Sequence, residues 1–228
     1  MDSRTTFLQA CNEIFNKLEG FKDFEKGQRI RKYSPDKDLY FEIYFQSSAK
    51  NNSSYIQILP HIHIFSKNLK KWQVEHTNSE YSQGLIFGGQ LGYLTPSKKW
   101  QEWNLADCVY KKNTNEIAEQ IEQYIFPIFD IFNSKDQAIE FLKKNGTKFN
   151  EWSEHSLLPL DFLLCFSEKE VAEKFFNHFI DHCPYKGKIF NLYQQLELEK
   201  NINLNYSEFI GANKIRLAFI NGLKITNN

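Results

Sequence analysis

The sequence is poor in the residues that usually announce chemistry. Cysteine occurs four times in 228 residues, at Cys11, Cys108, Cys165 and Cys183. No two of these form a CxxC pair, which excludes a zinc knuckle and a thioredoxin-type motif. Cys11 and Cys165 stand among apolar neighbours and read as small buried hydrophobes. Excess charge of one sign is also lacking: Lys+Arg and Asp+Glu both total 28, so no global field draws the chain toward nucleic acid or an anionic membrane. No apolar run reaches the ~18 residues that a membrane span requires. The opening "MDSRTTFLQACNEIF" has no charged segment leading into an apolar one, so it does not read as a signal peptide. Together these absences predict a reduced, cytoplasmic protein with no membrane partner.

The familiar catalytic signatures are missing as well. "FGGQLG" (87–92) is not GxGxxG, and no GKS or GKT accompanies it, which argues against a phosphate-cradling loop. There is no GxSxG elbow, and no cysteine sits in a nucleophile motif. The sequence therefore predicts no catalytic residue, no cofactor and no metal ligand set.

What is present is a globular composition, 41% hydrophobic with 21 Phe and 11 Tyr, so large rings should fill much of the interior. The length suits one good-sized core or two small lobes. Residues 3–19 place Phe7, Leu8, Cys11, Ile14, Phe15 and Leu18 at helical spacing, with Ser3 or Thr5 as N-cap and Gly20 at the stop. "KGQRIRKY" (26–33) reads as a short basic strand, ended by the turn "SPDKD" (34–38).

"LYFEIYFQ" (39–46) alternates, with Leu39, Phe41, Ile43 and Phe45 on one side and Tyr40, Glu42, Tyr44 and Gln46 on the other. "YIQILPHIHIF" (55–65) alternates too and sets His61 and His63 opposite a row of isoleucines. Pro60 has no N–H for a sheet ladder, which predicts an edge, a bulge or a break. Residues 67–80 give no assignable period. "GLIFGGQLGYL" (84–94) and "WQEWNL" (100–105) read as further strand text.

From about residue 113 the period becomes helical. Pro127 should kink or split the first of these helices. Ser134 and Gly146 bracket a second, and Ser167 with Glu170 has capping-box register for a third. "LLPLDFLLCF" (157–166) is ambiguous between strand and helix; 187–201 is a helix candidate, and 213–225 is amphipathic without a clear period. The expected fold class is α+β: an N-terminal helix on an antiparallel meander, then a mostly helical C-terminal half. One domain over 1–228 is expected, with a possible sublobe division near 112.

Two histidine pairs invite a metal reading. His61 and His63 share one side of a strand, close enough for two imidazoles to share an ion. No HxHxD pattern follows them, and a catalytic zinc needs a third ligand. His178 and His182, at i and i+4, are zinc-compatible, but the glutamate of HExxH is absent, so the metalloprotease reading fails. Glu116, Glu119 and Glu122 read as a solvated helix face. Lys26, Arg29, Arg31 and Lys32 beside Tyr40 and Tyr44 could stack single-stranded bases, though no RNP motif and no net charge support an RNA-binding protein.

The order of parts adds a resemblance. A helix ending in "LEGF" (18–21) is followed by a basic strand and an aromatic-polar strand. Then come "IFPIFDIF" (125–132) and "SKDQAIEFL" (134–142). The arrangement resembles a group of bacterial domains of unknown function, whose members resemble accessory proteins of bacterial competition, including immunity proteins. The resemblance implies a non-enzymatic binding protein that neutralises a cognate secreted toxin. Its expected contact residues are Tyr40, Glu42, Tyr44, Gln46, His61 and His63. The alternative is a small metal-dependent enzyme or ligand-binding domain built on His61 and His63.

Overall fold

A computed structural model describes residues 2–77, 82–204, 206 and 208–226. Helix α1 (Ser3–Phe15) is capped by Asp2, not by Ser3 or Thr5: its carboxylate accepts from the Arg4 and Thr5 N–H groups at 2.9 and 3.1 Å. Asp2 caps as well as a serine and better than a threonine, and it starts the first turn one residue earlier than Ser3 would. The helix stops at Phe15, and Gly20 takes the left-handed φ of +79° in the turn that follows.

Strands β1 (Lys22–Asp23), β2 (Arg29–Tyr33), β3 (Leu39–Ser47), β4 (Gln57–Ser66) and β5 (Leu85–Gln90) lie in sequence order within a six-stranded antiparallel sheet. The two-residue β6 (Trp103–Asn104) pairs with Gln57 and Ile58 of β4. The turn between β2 and β3 forms as its residues demand. Ser34 Oγ donates to the Asp36 carboxylate at 2.6 Å, and Lys37 takes a left-handed φ of +59°. Pro60 does not break β4, which runs unbroken over ten residues with β3 and β5 as neighbours. The proline falls just beyond the stretch paired with β6, so its missing N–H interrupts neither of those pairs.

Helix α2 (Lys67–Thr77) occupies most of the stretch that gave no period; positions 78–80 lie outside the described residues. Only Leu69 and Gln73 are buried on it, a stripe too narrow to impress a helical period on the sequence. Helix α3 (Tyr110–Gln120), a π-helical turn (Ile121–Ile125) and α4 (Phe126–Ile131) form one continuous run. Pro127 neither splits nor ends it. The Phe126 N–H reaches Ile121 O, one residue further back than an α-helix allows, and that wider ring absorbs the bond Pro127 cannot donate.

The remaining helices are α5 (Lys135–Asn145), α6 (Leu160–Phe166), α7 (Lys169–His182), α8 (Lys186–Leu196) and α9 (Ala212–Ile220). Ser134 and Gly146 bracket α5 as their chemistry predicts. The ambiguous segments at 157–166 and 213–225 are thus helical at their centres. At α7 the capping box does not form: Glu168 is the N-cap residue, and Ser167 Oγ donates back to Leu163 O of α6 at 2.7 Å. A hydroxyl committed to the preceding helix cannot cap the next one.

The chain divides into two compact units. The first comprises residues 1–65, 87–133 and 150–153; the second comprises 66–86, 134–149 and 154–228. In the first, Phe41 of β3 stacks on Phe129 of α4 with ring centroids 4.6 Å apart, and Phe21 joins Phe126 and Phe129. Glu13 of α1 pairs with Lys111 of α3 at 3.0 Å. Rings do fill much of this interior: Phe7, Phe41, Phe45, Phe129 and Phe132 are fully buried. In the second unit, Phe162, Phe175 and Phe176 play that part. Among the described residues no helix is long and apolar enough to cross a membrane.

Candidate binding surface

Antiparallel pairing decides which side chains share a face. Arg29 lies opposite Tyr44, Arg31 opposite Glu42, and Tyr33 opposite Tyr40. Directly opposed residues point the same way, so these six project together, while Ile30 with Ile43 and Lys32 with Phe41 project toward the helices. The basic cluster of 26–33 is therefore split between the two faces of the sheet. From β4, His61, His63 and Phe65 join the first face.

Glu42 is the buried centre of this face, only 5% exposed. Its Oε2 lies 2.7 Å from Arg31 Nε, and its Oε1 lies 3.5 Å from Arg29 Nε and 3.9 Å from His63 Nδ1. Rings surround the cations. The Arg31 guanidinium sits 3.5 Å from the Phe24 ring centroid and 5.0 Å from that of Tyr40, and the Arg29 guanidinium lies 5.2 Å from Tyr44. A chain of ring contacts continues from Tyr33 through Tyr40, Phe65 and His63 to His61, which meets Tyr44 and, edge-on, Trp100. Phe24 and Trp100 are about half exposed, at 55% and 49%. Tyr40, Tyr44, Gln46, His61 and His63 are half-buried.

The electrostatics follow from this packing. Burial lowers the pKa of His61, and burial outweighs the pull of Glu42 in lowering that of His63. Burial likewise pushes the Tyr40 phenol up. Both imidazoles are consequently neutral near pH 7. His61 Nε2 and His63 Nδ1 are buried without a hydrogen-bond partner among the described residues. They stand as rungs, 6.4 Å apart and 7° from parallel, and no third His, Cys, Asp or Glu converges with them among the described residues.

The structure thus brings five of the six predicted contact residues to one half-buried face and buries the sixth, Glu42, between two arginines. It adds Phe24, Arg29, Arg31, Phe65 and Trp100. Arg29 and Arg31 were visible as a basic strand; Trp100 reaches His61 from a loop, and nothing local in the sequence places it there. The acidic helix face is only partly free, since Glu116 accepts from Trp103 Nε1 at 2.9 Å.

The second unit holds a cavity of about 310 Å³ lined by Gln73, Leu158, Asp161 and Lys214, among others. Its carboxylate is already engaged: Asp161 Oδ2 lies 2.5 Å from Lys214 Nζ and accepts from Gln73 Nε2 at 2.9 Å. The imidazoles that do converge are also in this unit, at His155, His178 and His182.

A family model described as a domain of unknown function, DUF4304, matches residues 17–131. The chain belongs to this family. The DUF4304 match includes β1 to β6, α3 and all of α4, and hence every residue of the face just described. It excludes the three converging histidines. No match was found among curated proteins or among solved structures.

Proposed function

We propose that this protein is a non-enzymatic binding protein that captures a partner protein on the face of β2, β3 and β4. In its most concrete form it is a cytoplasmic immunity protein that neutralises a cognate secreted toxin by direct binding. The observation that carries the reading is the position of Glu42. Arg31 bonds it at 2.7 Å and Arg29 lies 3.5 Å from it, so the face offers rings and guanidinium edges whose positive charge is partly neutralised. Tyr, Trp, Phe and Arg are the residues enriched at protein interfaces. Phosphate binding would instead call for uncommitted cations.

The test is co-expression with candidate secreted toxins from the same host. The wild-type chain should restore growth, and Trp100→Ala combined with Tyr44→Ala should lose that protection while remaining folded by circular dichroism. No protection by the wild-type chain, or full protection by the double variant, would overturn the reading. Salt-dependent binding of a random single-stranded oligonucleotide would move it to RNA.

A further inference from the structure

Independently of the sheet face, we propose that His155, His178 and His182 form a site for one divalent transition ion, foremost Zn²⁺. One ligand nitrogen from each lies within 4.8 Å of the other two. The ring centroids stand 4.3, 4.5 and 5.3 Å apart. Imidazole suits zinc, copper and nickel, and three histidines with an open fourth position form a known zinc ligand set.

Which nitrogen each ring offers can be read from its surroundings. His182 Nδ1 lies 2.8 Å from the His178 carbonyl oxygen, to which it can only donate, and this leaves the Nε2 lone pair free. His155 Nδ1 and His178 Nε2 are buried and have no hydrogen-bond partner among the described residues. Both converge on Gly146: a Cβ there would meet His178 Nε2 at 3.0 Å and His155 Nδ1 at 3.6 Å. Two orphaned nitrogens thus lie side by side at Gly146, and His182 keeps the one freed by its carbonyl.

The backbone holds the ligands in place. His178 and His182 are one turn apart on α7. His155 comes from the segment after α5, where the buried Thr147 hydroxyl donates to Glu154 O at 2.7 Å and accepts from the Ser156 N–H at 2.8 Å. One side chain thus clamps the residues on both sides of the third ligand. Burial and the neighbouring histidines hold His155 down to about 4 and keep His178 below its ordinary value. Lys148 adds to the repulsion on His155, and Asp181 opposes it on His178. His182 is exposed, so the fourth coordination position is open to water. Closing around an ion requires the rings to draw in until each nitrogen is about 2.0–2.1 Å from it. An ion there would staple the segment after α5 to α7.

Calorimetric titration of Zn²⁺ into the untagged full chain, after chelator treatment, tests the site. We expect one equivalent bound, a rise in melting temperature with zinc, and at least tenfold weaker binding in His182→Ala and in His155→Ala. His182 is exposed, so its variant should melt like the wild type in chelator, which separates lost ligation from lost folding. His61→Ala combined with His63→Ala should bind as the wild type does. Sub-stoichiometric zinc in the wild type, undiminished affinity in His182→Ala, or loss only in the His61/His63 variant would each overturn the proposal.

Discussion

Glu42 and Arg31 face each other across β3 and β2, carboxylate oxygen to guanidinium Nε at 2.7 Å, with the carboxylate almost wholly out of water. Placed in the middle of a strand face that alternation marks as outward, an acid would ordinarily be solvated. Here the long stems of Arg29 and Arg31 and the rings above them close over it. The outward face of the sheet thereby becomes a layer with its own small polar interior.

Removing that carboxylate should be costly. Breaking one partner from a buried pair typically loses about 3–5 kcal/mol, but Arg29 and Arg31 keep side-chain exposures of 34% and 18%, so water recovers part of it. Glu42→Gln should destabilise the chain by about 2 kcal/mol in urea unfolding. A change under about 0.5 kcal/mol would show that the pair is effectively solvated.

Acidification should weaken the same face. His61 and His63 titrate below 6.5 in the folded state, so mild acid protonates the unfolded chain first. Their contribution is fully present above pH 6.5 and is lost as pH falls through their folded values. Imidazole NMR titrations should give midpoints below 6.5 for both, and His63→Gln should flatten the fall in urea midpoint on the acid side. Midpoints at or above 6.5 would contradict the burial argument.

In the second unit, Asp161 joins α6 to α9 through Lys214 and to α2 through Gln73, whose side-chain Oε1 accepts from the Gly84 N–H at 3.0 Å. Asp161→Ala strands a largely buried ammonium and should cost about 3 kcal/mol. Adding Lys214→Met should restore part of that loss, and the double-mutant cycle measures how much. Strict additivity would mean the two groups do not interact.

Gly146 ends α5 at φ +58° and ψ −137°, a conformation that L side chains rarely adopt, and a methyl group there would come within 2.6 Å of His178 Cδ2. Gly146→Ala should lose about 1–3 kcal/mol of stability. Because the methyl also displaces the His178 ring, the variant should bind zinc more weakly than the wild type. Wild-type stability would show that the backbone relaxes at no cost.

Much of the local architecture was legible in one dimension. Period two in 39–46 marks a strand and its two faces, because alternate side chains must point opposite ways. Ser134 and Gly146 mark a helix because only certain residues satisfy its ends. The reading failed where a residue had competing partners. Ser167 bonds backward to Leu163, Asp2 outbids Ser3, and the π turn before Pro127 relieves a clash that should have broken the helix. It also failed at α2, whose buried stripe is two residues wide.

The sequence by itself determined the class of fold, the membership of a family of unknown function, and the side of each strand on which Tyr40, Tyr44, His61 and His63 would stand. Each of these depends on neighbours a few positions away, which the chain cannot rearrange. Only the tertiary structure decided that Glu42 lies under two arginines, that Trp100 meets His61, and that His155 comes to rest beside His178 and His182. Those meetings join residues far apart along the chain, and they are fixed by strand register and helix packing, which no local pattern of residues encodes.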